Sequence, residues 1–285
     1  GNILYGTAPV GQIGSDDLIR QIRKAREDKR VKALVLRITT GGGSALASEL
    51  IRQELALTKK EGKPVVISMG AMAASGGYWV SADADLIVAS PVTLTGSIGI
   101  FGAVPTLERT LARIGMHGDG VGTTAVSHFG NMASAMSSEE EAMFQMDVEH
   151  GYQQFLEVVA RGRKMDVQAV AKIAEGRVWD GATALRLGLV DRLGDLQDAV
   201  AEAGRLAGVP AENGYHIELG PTSLRERFKR VDKPVEVLVA WLLGPGPLAM
   251  LPQPLSGPVE VLLNSTDPRA LYAHSLLPPA AELLR

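Results

Sequence analysis

Hydrophobic and polar positions along the chain fall into two alternating patterns. Short continuous apolar runs at residues 33–38, 65–69 and 86–89 are typical of buried strands. The segments between and after these runs carry apolar residues at helical spacing. That spacing predicts helices over residues 16–27, 44–60, 182–187 and 196–207, a short helix between a Thr106 cap and Gly115, and one beginning at Asp166. Strands that alternate with helices indicate a mostly parallel sheet, so the sequence predicts an α/β fold of repeated strand-turn-helix units.

The longest predicted helix has the clearest start. Ser137-Ser-Glu-Glu140 is a capping-box sequence, in which the first and last side chains bond each other's backbone amides, and the helix is expected to run to about Arg161. Apolar side chains available for burial along it are Met143, Tyr152, Phe155, Val158 and Val159. We expect this stripe to lie in the core or at a subunit interface.

The character of the sequence changes after Gly208. Prolines recur in Gly244-Pro-Gly-Pro247, Leu251-Pro-Gln-Pro254 and Pro278-Pro279, and proline interrupts both helices and sheets. The apolar stretch at residues 235–243 is too short to cross a bilayer, which takes about 20 residues. We therefore predict a main domain over residues 1–208 and a proline-rich appendage over residues 209–285 that packs on the domain or serves assembly.

A distinctive motif, Gly70-Ala-Met-Ala-Ala-Ser-Gly-Gly-Tyr-Trp79, follows the second predicted strand. Small residues on both sides of Ser75 permit a sharp turn into a helix and would leave its hydroxyl uncovered at the helix N-terminus. That is the geometry that a serine nucleophile needs. The same short sequence also suits a solvated turn or a helix cap, so Ser75 alone does not establish catalysis.

A second glycine-rich motif, Thr39-Thr-Gly-Gly-Gly-Ser44, ends the first predicted strand. A loop without side chains can bring a backbone N–H to a substrate carbonyl, and the amide of Gly76, directly after Ser75, would supply a second donor for an oxyanion hole. A phosphate-binding turn is the alternative. The pattern fits it poorly, because Leu46 stands where a dinucleotide fingerprint needs its third glycine and no Gly-Lys-Ser/Thr follows.

Composition narrows the class of protein. The chain has 285 residues, 46% of them hydrophobic, which is enough for a substantial core. The net charge of −3 and the lack of a long basic run argue against nucleic acid as a partner. Since the chain has no cysteine, disulfides, thiolate zinc sites and a cysteine nucleophile are excluded. The sequence opens Gly1-Asn-Ile-Leu-Tyr5 without a signal core, so we expect any targeting segment or membrane anchor upstream.

Several motifs together resemble, in order and spacing, the signal peptide peptidase A family of serine peptidases, within the Clp protease/crotonase superfamily. They are Arg37-Ile-Thr-Thr-Gly-Gly-Gly-Ser44, Met69-Gly-Ala-Met-Ala-Ala-Ser-Gly-Gly-Tyr-Trp79 and Ala89-Ser-Pro-Val-Thr-Leu-Thr-Gly-Ser-Ile-Gly-Ile-Phe-Gly102, followed by Gly176-Arg-Val-Trp-Asp-Gly181 and Gly188-Leu-Val-Asp191. The family usually has Ser-Pro-Gly-Gly where this chain has Thr40-Gly41-Gly42-Gly43. The turn is therefore more flexible here.

The resemblance implies a Clp/crotonase-like fold and a role for each matching residue. Ser75 would be the nucleophile, and Ser97 would hydrogen-bond the catalytic amine. Gly76 would give one oxyanion N–H and Gly42 or Gly43 the other, since the missing proline leaves open which glycine faces the substrate. The implied reaction needs neither a metal nor a cofactor.

The general base is the missing part. Family members use a Ser-Lys dyad, and in their short form the lysine lies in the segment that here reads Val121-Gly-Thr-Thr-Ala-Val-Ser-His-Phe129, which has none. We expect every lysine of the chain to be on a solvated face: Lys24, Lys29, Lys32, Lys59, Lys60, Lys63, Lys164, Lys172, Lys229 and Lys233. In the family's long form, the first of two homologous halves carries the lysine and the second the serine. This chain resembles the second half, and His128 is the alternative base.

The function implied is a serine endopeptidase that degrades residual signal peptides at the bacterial inner membrane, facing the periplasm. Its partners would be peptide substrates, a lysine-bearing upstream half and further copies in a homo-oligomer that encloses Ser75. Two alternatives stay open at this point. A crotonase-type acyl-CoA enzyme would share the paired backbone N–H groups but commonly uses carboxylates, and no Asp or Glu adjoins Ser75. A non-catalytic assembly half would explain the missing lysine.

Overall fold

The computed structural model describes residues 1–9, 11–210 and 271–274. The strands in this part of the chain are β1 (Ile3–Leu4), β2 (Ile13–Gly14), β3 (Leu34–Thr40), β4 (Gly42–Ser44), β5 (Val65–Ala74), β6 (Leu86–Ala89), β7 (Leu94–Gly96), β8 (Phe101–Gly102), β9 (Val178–Asp180), β10 (Arg192–Leu193) and β11 (Leu271–His274). The helices are α1 (Ser15–Glu27), α2 (Ala45–Lys60), α3 (Gly76–Ser81), α4 (Glu108–Ala112), α5 (Ser138–Arg163), α6 (Val167–Ile173), α7 (Gly181–Arg186) and α8 (Leu196–Ala207).

The larger of two sheets runs in the order β10-β6-β5-β7-β9, with β3 paired to the other edge of β5. All of its pairings are parallel except that of β7 with β9. The smaller sheet has the order β2-β1-β4-β11-β8, and β11 is antiparallel to both of its neighbours. The prediction of a mostly parallel sheet is confirmed.

Alternate side chains of a strand point to opposite faces of a sheet, and both faces of the larger sheet are covered by helices. Val65, Ile67 and Met69 of β5 join the main core. Val66, between them, packs instead in a smaller cluster with Ala199 and Ala203 of α8. This layered arrangement confirms the α/β class. β3 is less buried than predicted, since Arg37 is exposed within it.

The long helix begins as the sequence predicts. Ser137 and Glu140 form a capping box, in which the Glu140 amide donates to Ser137 Oγ at 3.2 Å. Phe155 and Val159 of this helix are buried, as expected. Met143 is 40% exposed, so it is not part of the core of this chain, and its place at a subunit interface stays a prediction. The short helix α4 also differs, since Leu107 rather than Thr106 is its N-cap.

The predicted appendage falls mostly outside the described residues. Beyond residue 210 the structure describes only β11, which pairs through its backbone with β4 and β8. The proline-rich segments and the apolar stretch at residues 235–243 are not among the described residues, so the division at residue 208 stays a prediction. None of the described helices is both long and apolar enough to cross a bilayer.

Candidate active site

Ser75 stands at the junction between β5 and α3. The strand is longer than predicted and runs to Ala74, so that Ser75 follows its last residue directly. Along the way β5 changes partners: it pairs with β6 at Val66–Ser68 and with β7 at Met72–Ala74. Ser75 therefore lies where β5 ends beside β7 and α3 begins.

The backbone of Ser75 is strained and held in place. Its φ of 52° and ψ of −115° lie outside the conformations that side chains other than glycine usually adopt. The Ser75 amide donates to the Gly96 carbonyl at 2.8 Å, and the Trp79 amide donates to the Ser75 carbonyl at 2.8 Å. Strain of this kind persists only where the surroundings over-determine it, and it concentrates at functional sites.

The Ser75 hydroxyl is buried and unpaired. The residue is only 1% exposed, and Oγ has no hydrogen-bond partner in the described part of the chain. The expectation of an uncovered hydroxyl is therefore wrong for this chain: α3 packs against β4, β5 and β11, and every residue of this helix is buried. Since buried hydroxyls almost always find a partner, an unpaired one calls for an explanation such as a catalytic role.

Ser97 lies at the end of the strand next to that of Ser75 and also has a positive φ. Its φ is 51° and it is 6% exposed. Ala74 and Gly96 are partners in the β5–β7 ladder, so the two serines follow residues that already face each other. The Ser97 amide donates to the Arg177 carbonyl at 2.7 Å, which ties this turn to the segment before β9. The structure thus brings together two serines that lie 22 positions apart in the sequence.

The glycine motif forms a strand rather than the flexible loop expected. β4 lies between β1 and β11, and a Cβ added to Gly43 would come 2.0 Å from the Ile3 carbonyl oxygen. The Gly42 amide donates to Thr40 Oγ1 at 3.0 Å, so this N–H already has an acceptor. Gly76, the first residue of α3, occupies a position whose N–H has no acceptor within the helix.

No described lysine, histidine or carboxylate bonds the Ser75 hydroxyl. His128 is half-buried and lies against Gly120, within the segment that precedes α5. Two lysines predicted on solvated faces have structural contacts instead. Lys63 donates to the Ala25 carbonyl at 2.9 Å at the end of α1, and Lys59 forms a 3.3 Å ion pair with Asp85.

Two polar anchors that sequence analysis missed hold α3 in the core. Tyr78 Oη donates to the Leu189 carbonyl at 2.8 Å, and burial raises the pKa of this phenol. On the next residue, Trp79 Nε1 donates to Glu49 Oε2 at 2.8 Å. Arg52 donates to both oxygens of Glu49, and to Asp83, at 2.8 Å each. These contacts join positions about 30 and 111 residues apart, which no local pattern reveals.

Replacing Glu49 by glutamine is expected to lower the free energy of unfolding at pH 7 by roughly 2 kcal/mol, the scale of hydrogen bonds to a charged group. Burial opposes ionisation of Glu49, but donors on Arg52, Trp79 and Gln53 outweigh it and hold its pKa below the ordinary 4.5. A lowered folded-state pKa stabilises above pH 4.5 and loses that contribution as the pH falls through the folded value. Urea denaturation should therefore show the difference between wild type and variant shrinking in acid.

The control for this prediction is Glu141→Gln, at an exposed position of α5. It should change the free energy of unfolding little at any pH. Equal effects of the two variants would show that the Glu49 contacts do not stabilise the fold.

The chain matches a known protein family. The model of peptidase family S49 matches residues 57–210. The chain is 43% identical over 279 residues to Protease 4 of Salmonella typhi and 40% identical over 287 residues to Protease 4 of Haemophilus influenzae, covering 97% of this chain in each case. It is also 38% identical to the chloroplastic serine protease SPPA of Arabidopsis thaliana over 205 residues. This match covers 72% of this chain and 30% of the relative. The chain spans only 45% of each Protease 4.

Proposed function

Because the chain belongs to peptidase family S49, a family of peptide hydrolases, we propose that Ser75 is the nucleophile of a serine endopeptidase of the Ser-Lys type. The observation that carries this proposal is the Ser75 side chain itself. It combines a φ of 52°, 1% exposure and an unpaired Oγ at a strand-to-helix turn. The strained backbone and the buried hydroxyl without a partner both cost stability, and their coincidence on one serine is explained by a function in chemistry.

The base in this proposal is a lysine from an upstream homologous half. Two observations support it: no basic side chain in the described part of the chain bonds Ser75 Oγ, and each Protease 4 relative is more than twice the length that this chain matches. Ser97, next to Ser75, would accept a hydrogen bond from the lysine amine. Desolvation in such a buried site would lower the lysine pKa, so that the amine could take a proton.

The proposed reaction gives each of these groups a role. The neutral amine removes the Ser75 proton as Oγ attacks the peptide carbonyl, and the resulting oxyanion accepts N–H bonds from Gly76 and from the Gly42–Gly43 backbone. The protonated amine gives its proton to the leaving peptide nitrogen. Water, activated by the same amine, hydrolyses the acyl-enzyme and regenerates Ser75. Because Thr40 Oγ1 already accepts from the Gly42 amide, the Gly43 amide is the better second donor.

An extended peptide fits the space that β11 occupies. β11 lies antiparallel between Gly42–Ser44 of β4 and Phe101–Gly102 of β8, on the two segments that follow Thr40 and Ser97 in the chain. A substrate strand in that position would add to the sheet through its backbone, leaving side chains to give specificity. We therefore place the substrate backbone where β11 lies.

The substrates in this proposal are residual signal peptides at the bacterial inner membrane, cut on the periplasmic side by a Clp/crotonase-like homo-oligomer that is anchored upstream. Short apolar peptides of this class would enter an enclosed site in extended form. The two alternatives are weaker. An acyl-CoA enzyme would commonly use a carboxylate, and no described carboxylate bonds the Ser75 hydroxyl. A half that serves assembly alone would leave the backbone strain at Ser75 unexplained.

Ala273→Pro is the variant that tests the position of the substrate. Proline removes a backbone N–H from the centre of β11 and weakens its pairing with β4, where Ala273 faces Gly43. In the full-length protein, labelling of Ser75 by a fluorophosphonate is expected to become roughly tenfold faster, as the loss of about one ladder hydrogen bond frees the groove. Ala273→Val, which keeps the N–H, is the control and should label at the wild-type rate. Slower or unchanged labelling of the proline variant would place the substrate elsewhere.

A further inference from the structure

A cavity of about 440 Å³, open to solvent on one side, lies where β5 changes partners, and its lining does not include Ser75. The register of β3 on β5 passes from Ile38–Met69 to Thr40–Ala73, so β5 carries two extra residues at this point. On the other edge, β6 has ended and β7 has not begun, and residues 90–93 connect them. The volume is in the range of small-ligand sites, about 300–1,000 Å³.

The walls of this cavity are mostly apolar, with one cation. Met69, Ala71, Val92 and Leu94 line it together with Arg37. Aliphatic walls of this kind favour a hydrocarbon chain over a strongly hydrated ligand.

The Arg37 guanidinium is held by one hydrogen bond and has no ion-pair partner among the described residues. Its Nη1 donates to the Oγ of Ser68 at 2.7 Å, and Ser68 is fully buried, which fixes the guanidinium against the sheet. Within the described residues no carboxylate comes within 4.0 Å of it to form an ion pair. A guanidinium has five N–H donors in a planar fork that matches a carboxylate.

Asp195 is the one acidic residue in the lining, and it is engaged elsewhere. It is the N-cap of α8, and its Oδ1 accepts from the amides of Gln197 at 2.7 Å and Asp198 at 3.0 Å. The N-cap amides therefore hold this carboxylate toward α8. Its negative charge nevertheless disfavours a multiply charged anion such as a phosphate, while a single carboxylate paired with Arg37 is tolerated.

We propose that this cavity binds a carboxylate carried on a short apolar chain, with Arg37 pairing the carboxylate and the Met69–Val92 walls covering the chain. Two sources share this chemistry: the carboxyl terminus of an apolar peptide and a free fatty acid. The site is separate from Ser75 and does not depend on the function proposed for it.

The test uses the full chain with Ser75→Ala, so that no probe is consumed. Calorimetry and saturation-transfer NMR would compare octanoate with octanol, and acetyl-Ala-Leu-Ala-Leu as the acid with the same peptide as the amide. Each acid is expected to bind about tenfold or more tightly than its neutral counterpart, the scale of a charge-assisted contact. The acid that binds more tightly, octanoate or peptide, identifies the source.

Two variants tie the effect to this cavity. Arg37→Gln should remove the preference for the acids, and Val92→Glu, at a position that is 79% exposed, should weaken them by adding a negative charge at the mouth without disturbing the core. Arg205→Gln, at the far end of α8 and paired with Glu202, is the matched control and should bind as wild type. Acids that bind no better than their neutral counterparts, or a preference for the acids that survives Arg37→Gln, would overturn the proposal.

Discussion

If Ser75 is the nucleophile, replacing it by alanine is expected to lower the kcat/KM of the full-length protein for an apolar signal-like peptide by at least about 10⁴-fold, as removal of a nucleophile does in serine peptidases. The same change should raise the free energy of unfolding by roughly 1 kcal/mol, because it deletes a buried hydroxyl that has no partner. Opposite effects on activity and stability are the signature of a residue kept for chemistry. Peptide cleavage assays and urea denaturation measure the two quantities.

Ser81→Ala is the matched control. Ser81 is also buried in the α3 segment, but its Oγ donates to the Gly77 carbonyl at 2.7 Å. The control should lose stability, by about 1 kcal/mol, and keep most of its activity. A Ser75→Ala protein that still cleaves peptides near the wild-type rate would exclude Ser75 as the nucleophile.

The second large effect concerns the general base, which our proposal assigns to a lysine of an upstream half. The isolated 285-residue chain should cleave an apolar peptide at least about 100-fold more slowly than the full-length protein, because general-base assistance contributes roughly 10²- to 10⁴-fold. Adding the upstream half in trans should restore cleavage. An upstream half whose lysines have first been acetylated is the control, and it should restore nothing.

His128 provides the opposing outcome. It belongs to the segment where short family members carry their lysine, yet no bond joins it to Ser75 Oγ in the described structure. In that outcome the isolated chain cleaves the peptide as fast as the full-length protein, and His128→Ala removes this activity. The control His117→Ala, at an exposed position, keeps the activity. These results together would show that His128 is the base and that the proposal of a divided dyad is wrong.

The sequence predicted helices and their ends well where these depend on neighbouring residues. The helix over residues 16–27 is present as α1, and the capping sequence at Ser137 opens α5 as a capping box. The Gly208 stop follows α8 with a φ of 67°, a conformation that glycine adopts without strain. Each of these features depends on residues within a turn of one another, so the sequence carries it directly.

The parts that sequence reasoning missed depend on distant segments. Ser75 is buried at the start of α3, which packs on β4, β5 and β11, and the strand at Gly42–Ser44 pairs with β1 and β11. The anchor from Tyr78 to Leu189 spans 111 positions. Such contacts arise only when the sheet assembles, because neither partner has a sequence pattern that names the other.

The most direct measurement is the site of covalent modification in the full-length protein. After reaction with a fluorophosphonate, fragment-ion mass spectrometry of the proteolytic peptide that contains both Ser75 and Ser97 should place the single adduct on Ser75. Ser97→Ala should keep the adduct at Ser75 and slow its formation. An adduct on Ser97 or on any other residue, with Ser75 unmodified, would contradict the assignment of Ser75 as the nucleophile.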